Sequence, residues 1–131
     1  MTDKLQFSLV SPAREVFSGA VDHVIAPGTE GDFGVLPHHA PFMSTLKNGV
    51  VRVLEGENVS MRVFVRGGFA DVTPEGLTIL AEEAVNLADV DAGEISEKLQ
   101  TARETAQAEP ENALAAEQVA YLEALQGAIA N

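Results

Sequence analysis

The residues best placed to do chemistry lie between Pro27 and Pro41, in the run Pro-Gly-Thr-Glu-Gly-Asp-Phe-Gly-Val-Leu-Pro-His-His-Ala-Pro. Three glycines three apart permit a tight backbone path with positive φ, and Pro37 and Pro41 stiffen the C-terminal half of the run. The segment reads as a shaped loop that displays Glu30, Asp32, His38 and His39. Its Gly-x-x-Gly-x-x-Gly spacing is neither the dinucleotide fingerprint nor a P-loop, no Lys-Ser/Thr comes after it, and its own carboxylates oppose an anion. That excludes a phosphate cradle. His38 and His39 are neighbours, so in extended chain they face opposite ways and do not share one ion. A third ligand would have to come from Asp32 or His23, and a plain surface loop is the better reading. Ser, His and Asp all occur, yet no Gly-x-Ser-x-Gly elbow presents a nucleophile. With no Cys, thiol nucleophiles, disulfides and thiolate metal sites are excluded together. Nothing signals an enzyme, a metal or a cofactor.

Hydrophobic periodicity gives the elements that must hold this segment. From Leu5 to about Glu82 the period is two. Leu5–Leu9, Arg14–Ser18 and Asp22–Ala26 read as short strands, Val50–Leu54 and Met61–Val65 as a hairpin about Glu55–Asn58, and Phe69–Thr73 and Leu77–Ala81 as a second hairpin about Pro74–Gly76. Many short strands with close-spaced turns predict an antiparallel sandwich. After Leu87 the β-branched residues thin out. Asp91-Ala92-Gly93-Glu94 has the form of a capping box, and Ile95, Leu99, Ala102 and Ala106 come next on one helical face. Pro110 breaks that helix and opens another, striped by Leu114, Gln118, Tyr121, Leu122, Leu125 and Ile129. The expected architecture is an all-β sandwich over residues 1–86 followed by a C-terminal antiparallel two-helix hairpin over 87–131. The hairpin's apolar faces are narrow, so it is weakly held and moves, or needs a partner, or else packs on the sandwich edge.

The 131 residues suit one domain with an appendage, and a 46% apolar share is enough for a packed core. A net charge of −12 excludes nucleic-acid binding and opposes direct docking on anionic lipid. The opening Met-Thr-Asp-Lys-Leu-Gln reads as neither secretory signal nor transit peptide, and no run approaches a spanning helix.

One family has this pattern. Gly31-Asp32-Phe33-Gly34-Val35-Leu36-Pro37-His38-His39-Ala40-Pro41 resembles the signature of the epsilon subunits of F-type ATP synthases, a glycine-rich loop leading into Leu-Pro-x-His-Ala-Pro. Val10-Ser11-Pro12, Val16-Phe17-Ser18-Gly19, Asn48-Gly49-Val50-Val51-Arg52, Gly67-Gly68-Phe69-Ala70-Asp71-Val72 and Leu80-Ala81-Glu82-x-Ala84 match in order, and the resemblance spans the chain. It implies a bacterial-type, non-catalytic rotor subunit, peripheral on the cytoplasmic face of the inner membrane and touching the bilayer only through its complex. One side of the sandwich would grip the gamma subunit, and its lower end would meet the c-ring through Asp32 and His39, with Glu30, His38 and Pro41 beside them. The bland alternative is that Asp32 merely satisfies turn amides. The family's hairpin can reach the catalytic alpha/beta subunits and block hydrolysis, and some members bind ATP through an Ile/Leu-Asp-x-x-Arg-Ala motif. Here Val90-Asp91-Ala92-Gly93-Glu94 puts an acid where the cation would meet phosphate, and Lys98 and Arg103 are the only bases after Arg66. Weak ATP binding and weak or absent inhibition are expected. The rival readings are a small β-sandwich adaptor for an unrelated partner and a jelly-roll enzyme, the latter lacking a ligand cluster.

Overall fold

The computed structural model of the chain describes residues 3–130; Met1 and Thr2, which open the stretch bearing on targeting signals, and Asn131 lie outside it. Ten strands come first: β1 (Leu5–Ser11), β2 (Arg14–Val21), β3 (His23–Gly28), β4 (Gly31–Val35), β5 (Phe42–Thr45), β6 (Gly49–Glu55), β7 (Asn58–Arg66), β8 (Phe69–Thr73), β9 (Gly76–Leu80) and β10 (Glu83–Asn86). A 3₁₀ turn over Leu87–Asp89 leads to helices α1 (Ala92–Ala108) and α2 (Ala113–Ala130). The chain separates into two compact units, the first ending at Ala88 and the second beginning at Asp89.

The strands form the expected sandwich. One sheet runs β2-β1-β9-β8-β5 and the other β10-β7-β6-β3-β4. All pairings are antiparallel except β1 with β9, where Phe7 aligns with Leu77 and Leu9 with Ile79. Alternation explains the inner faces: Leu5, Phe7 and Leu9 of β1 are buried while Gln6 is exposed, and Ala70, Val72, Leu77 and Ile79 continue the layer. Val24, Ala26, Val51, Val53, Val63 and Val65 supply the facing layer. Full burial of a side chain such as Phe7 stabilises by roughly 1.5–3 kcal/mol. β7 departs from period two. Val63, Phe64 and Val65 are all buried, so Phe64, on the face opposite its neighbours, is covered as well, flanked across the ladder by Val50 and Val85. Three strands, β4, β5 and β10, lie where the sequence shows no alternation: Gly31 and Gly34 interrupt β4, and β5 and β10 are only four residues long.

Two devices fix the sandwich. Between β7 and β8, Gly68 has φ +111°, and a Cβ there would stand 2.0 Å from the Leu80 carbonyl oxygen. Only glycine fits that approach. At the other end, Asp22 joins the two sheets: Oδ1 accepts from Lys4 Nζ at 2.6 Å and Oδ2 accepts from Gly56 N at 2.5 Å, with Glu55 3.5 Å from the same ammonium. The Lys4 hydrogen bond, helped by the Gly56 amide, holds the Asp22 carboxyl below its ordinary 3.8.

In the second unit, Asp91 caps α1 as expected, its Oδ1 accepting from Gly93 N at 2.8 Å and Glu94 N at 3.3 Å. The start of α2 differs. Pro110 lies in the turn between the helices, and Asn112 is the cap, its Oδ1 accepting from Ala115 N at 3.1 Å. The buried stripe of α2 shifts accordingly to Ala115, Tyr121, Leu122 and Leu125, leaving Leu114 76% exposed and Gln118 exposed. Arg103–Glu123 at 3.0 Å and Gln126–Ser96 at 3.1 Å tie the helices antiparallel.

Two outcomes are expected. Gly68→Ala lowers stability by about 3 kcal/mol, since positive φ and a backbone clash combine, measured as a fall in the urea midpoint at unchanged m-value. Because the folded carboxyl of Asp22 titrates below 3.8, its contribution is present above that pH and lost as pH falls through the depressed value. Asp22→Asn is therefore less stable than the parent at pH 6, and unfolding midpoints of the two converge on acidification below 3.8.

Candidate docking site

The segment singled out by its chemistry is not one loop. Its first part is a β-hairpin in which β3 and β4 pair Pro27 with Asp32 and Gly28 with Gly31, leaving Thr29 and Glu30 as a two-residue tip. Of the three glycines only Gly31 takes positive φ, +129°, and it absorbs the chain reversal. Gly28 and Gly34 are strand residues kept small by Phe33 and by the His23 ring. The tip is tied to the end of β5: Thr29 N donates to Thr45 O at 3.1 Å and the two hydroxyls lie 2.9 Å apart.

The second part is a tight turn at the opposite end of β4. His39 N donates to Leu36 O at 3.2 Å, closing a four-residue turn with Pro37 second and His38 third, at φ +64°. Proline followed by a residue of positive φ is what a type II turn requires. His38 Nε2 and Asp3 Oδ2 are 2.7 Å apart. His39 Nδ1 lies 2.8 Å from Ala40 O, so that nitrogen carries the proton, since a carbonyl oxygen only accepts. Phe42, just after Pro41, packs edge-on against Phe33 at 5.3 Å between ring centroids and 6.4 Å from the His39 ring.

β4 and β5 are the outermost strands of their sheets, so the segment builds one side of the sandwich. The five expected residues are thus strung along an edge. Glu30 stands at one end and His38 and His39 at the other, separated by the length of β4, roughly 17 Å. Asp32 lies within β4 and His39 in the turn after it, so a strand segment rather than a continuous loop connects them. Asp32 is 53% exposed at its side chain and faces Arg52 at 4.0 Å. Pro41 holds the entry to β5. Reasoning from polar residues misses the exposed apolar ones on the same edge, Leu36, Phe42 and Met43. Gly/Pro punctuation on one side and Phe-Met-Ser-Thr on the other would have shown β5. His23 lies against Gly34, and among the described residues no three His, Cys, Asp or Glu side chains form a metal cluster.

The protein is a β-sandwich with an appended helical hairpin, and one edge of the sandwich offers carboxylates, imidazole and exposed apolar side chains. Comparison with known proteins makes that class specific. Residues 4–87 match the family model of the ATP synthase Delta/Epsilon chain β-sandwich domain. The ATP synthase epsilon chain of Hyphomonas neptunium is 64% identical over 135 residues, covering all of both chains. That of Caulobacter vibrioides is 65% identical over 86 residues, covering 65% of this chain and 98% of its own. A solved chain from the Euglena gracilis mitochondrial ATP synthase OSCP/F1/c-ring assembly shares the fold, with TM-score 0.76 at 24% identity, covering 96% of this chain and 79% of that one.

The chain belongs to the ATP synthase epsilon chain family. It is a non-catalytic subunit of an F-type ATP synthase, and the readings as an unrelated adaptor or a jelly-roll enzyme fall away.

Asp91 commits its carboxylate to the α1 cap, and Glu94 presents a negative charge beside it. Titration calorimetry of the full chain is therefore expected to show no micromolar ATP binding. Asp91→Ala should cost about 1 kcal/mol of helix stability, read as lost helical ellipticity, whether or not ATP is present.

Proposed function

We propose that the chain is the joint of the central rotor stalk, binding the gamma subunit by one sheet face and the c-ring by the β4–β5 edge. The observation that carries the reading is that edge itself: in a chain of this family, half-exposed Asp32 lies on the same side of the body as His39 and the apolar Leu36, Phe42 and Met43. A carboxylate and an imidazole pair with basic and polar loop groups, while the apolar neighbours desolvate the contact and strengthen it. The Euglena assembly, which contains F1 and c-ring, supports the placement.

The gamma-facing surface is best supplied by the outer face of the sheet that ends in β5. There Val10, Pro12, Phe69 and Leu80 line a shallow apolar groove, with Phe69 36% and Leu80 42% exposed. Thr45 pairs with Phe69 across the ladder and carries that surface toward the edge. Gamma and ring contacts are then adjacent parts of one surface.

The hairpin is an accessory in this reading. Residues 89–131 carry nine acids and two bases. Like charge opposes docking on an acidic segment of the alpha/beta subunits, so inhibition by the hairpin is weak or absent. The Caulobacter relative, matched over 98% of its own length by 86 residues, supports a sandwich that works alone. No helix among the described residues is long and apolar enough to cross a membrane. We place the chain on the cytoplasmic face of the inner membrane, held there by the complex.

The test is reassembly of the complex with Asp32→Lys, a change on an exposed edge strand that leaves the core intact. Reversing one interfacial charge should weaken attachment to the ring about tenfold and lower ATP-driven proton pumping, with ATP hydrolysis retained. Unaltered pumping would sink the reading.

A further inference from the structure

We propose that Asp3 is a positioning residue for the docking edge: its carboxylate holds His38 at positive φ and thereby fixes the turn that presents His39. The proposal rests on the reading of that edge as the ring-facing surface.

His38 is the one non-glycine residue at positive φ among the described residues. The third position of its turn demands that conformation, because Pro37 precedes it and the Leu36–His39 hydrogen bond closes it. Glycine or asparagine adopts it readily, whereas other L side chains crowd the following carbonyl. A histidine there is held by something outside its own backbone. The contact that can do so comes from 35 residues away, where Asp3 Oδ2 meets the ring at Nε2 at 2.7 Å. The next residue, Lys4, pairs with Asp22 at 2.6 Å and Glu55 at 3.5 Å. Lys4 and Glu75 are the other charged side chains lining the crevice between the N-terminal segment, the Leu36–His39 turn and the β8–β9 turn.

The pair is exposed, with 75% and 70% of the two side chains accessible, so its effect is geometric rather than a large gain in stability. Without Asp3 the His38 backbone can relax to negative φ, the bond from His39 N to Leu36 O opens, and the imidazole of His39 loses its fixed direction. With glycine at 38 the turn keeps its shape unaided, and Asp3 has nothing to hold.

Amide hydrogen exchange in the full chain tests this at the closing bond of the turn. Asp3→Ala should speed exchange of the His39 amide about threefold, the scale of an exposed hydrogen-bonded contact, with core amides such as Val63 and Ile79 unchanged. In a His38→Gly background the same Asp3→Ala substitution should leave the His39 amide unaffected. Unchanged exchange in Asp3→Ala, or equal acceleration in both backgrounds, overturns the positioning role. A second arm separates this from the reading of the edge: in the reassembled complex, Asp3→Ala should lower proton pumping, Asp3 itself lying outside the docking set. Faster His39 exchange with normal pumping would uphold the hold on the turn and overturn the ring-facing assignment of the edge.

Discussion

The structure depends on how the chain passes from the edge of one sheet to the edge of the other. β4 ends one sheet and β5 ends the second, and only Leu36–Pro41 joins them. Unpaired strand edges invite association with other chains. Here they are kept to five and four residues, one carries Asp32, and the other is entered from Pro41. Such an edge resists pairing by backbone hydrogen bonds and offers its side chains instead. On the proposed function, the features that make the edge safe also suit it to selective docking.

That surface has a rigid body behind it. The β3–β4 tip is bonded to the end of β5, the Phe33 and Phe42 rings pack across the gap, and Asp22 ties the first sheet to the β6–β7 turn of the second. Exposed ion pairs contribute little individually, about 0–1 kcal/mol each. Their value lies in removing alternatives: each closes a path by which one sheet edge could slide on the other. The second unit is built differently. Its helices are rich in alanine, carry strong negative charge and are pinned by one Arg–Glu pair and one Gln–Ser bond. A body fit to transmit force and an alanine-rich, acidic helical hairpin sit in one chain.

Much of this is legible from residues alone, for definite reasons. Leu5-Gln6-Phe7-Ser8-Leu9 alternates because its strand has one wet face, and Asp91 signals a helix start because its side chain can satisfy orphan amides. The hidden features depend on non-local contact. The parallel pairing of β1 with β9 joins residues some seventy apart, and no local pattern encodes it. Phe64 is buried although alternation puts it outside. Asn112 escapes notice because Pro110 is the louder helix signal, and Leu114, two residues on, then falls on the wrong face of the expected stripe. Type and spacing pick out the site residues but not their distribution, because Gly31 and Gly34 leave β4 no apolar alternation to show. A run that reads as a displayed loop is half a strand pair.

On the proposed reading of this edge as the ring-facing surface, Glu30 before β4 and His39 after it would meet the partner at two separate points, which has a mechanical consequence for a turning joint. Contacts gathered at one point transmit force but leave the partner free to pivot about that point. Contacts set apart by the length of β4, about 17 Å, would resist pivoting, because any tilt of the partner must lengthen one of them. Stiffness between the two then matters more than the strength of either, and the short strand, the two prolines and the packed rings supply it. A flexible loop of the same composition would carry the same charges and hold its partner less well under load.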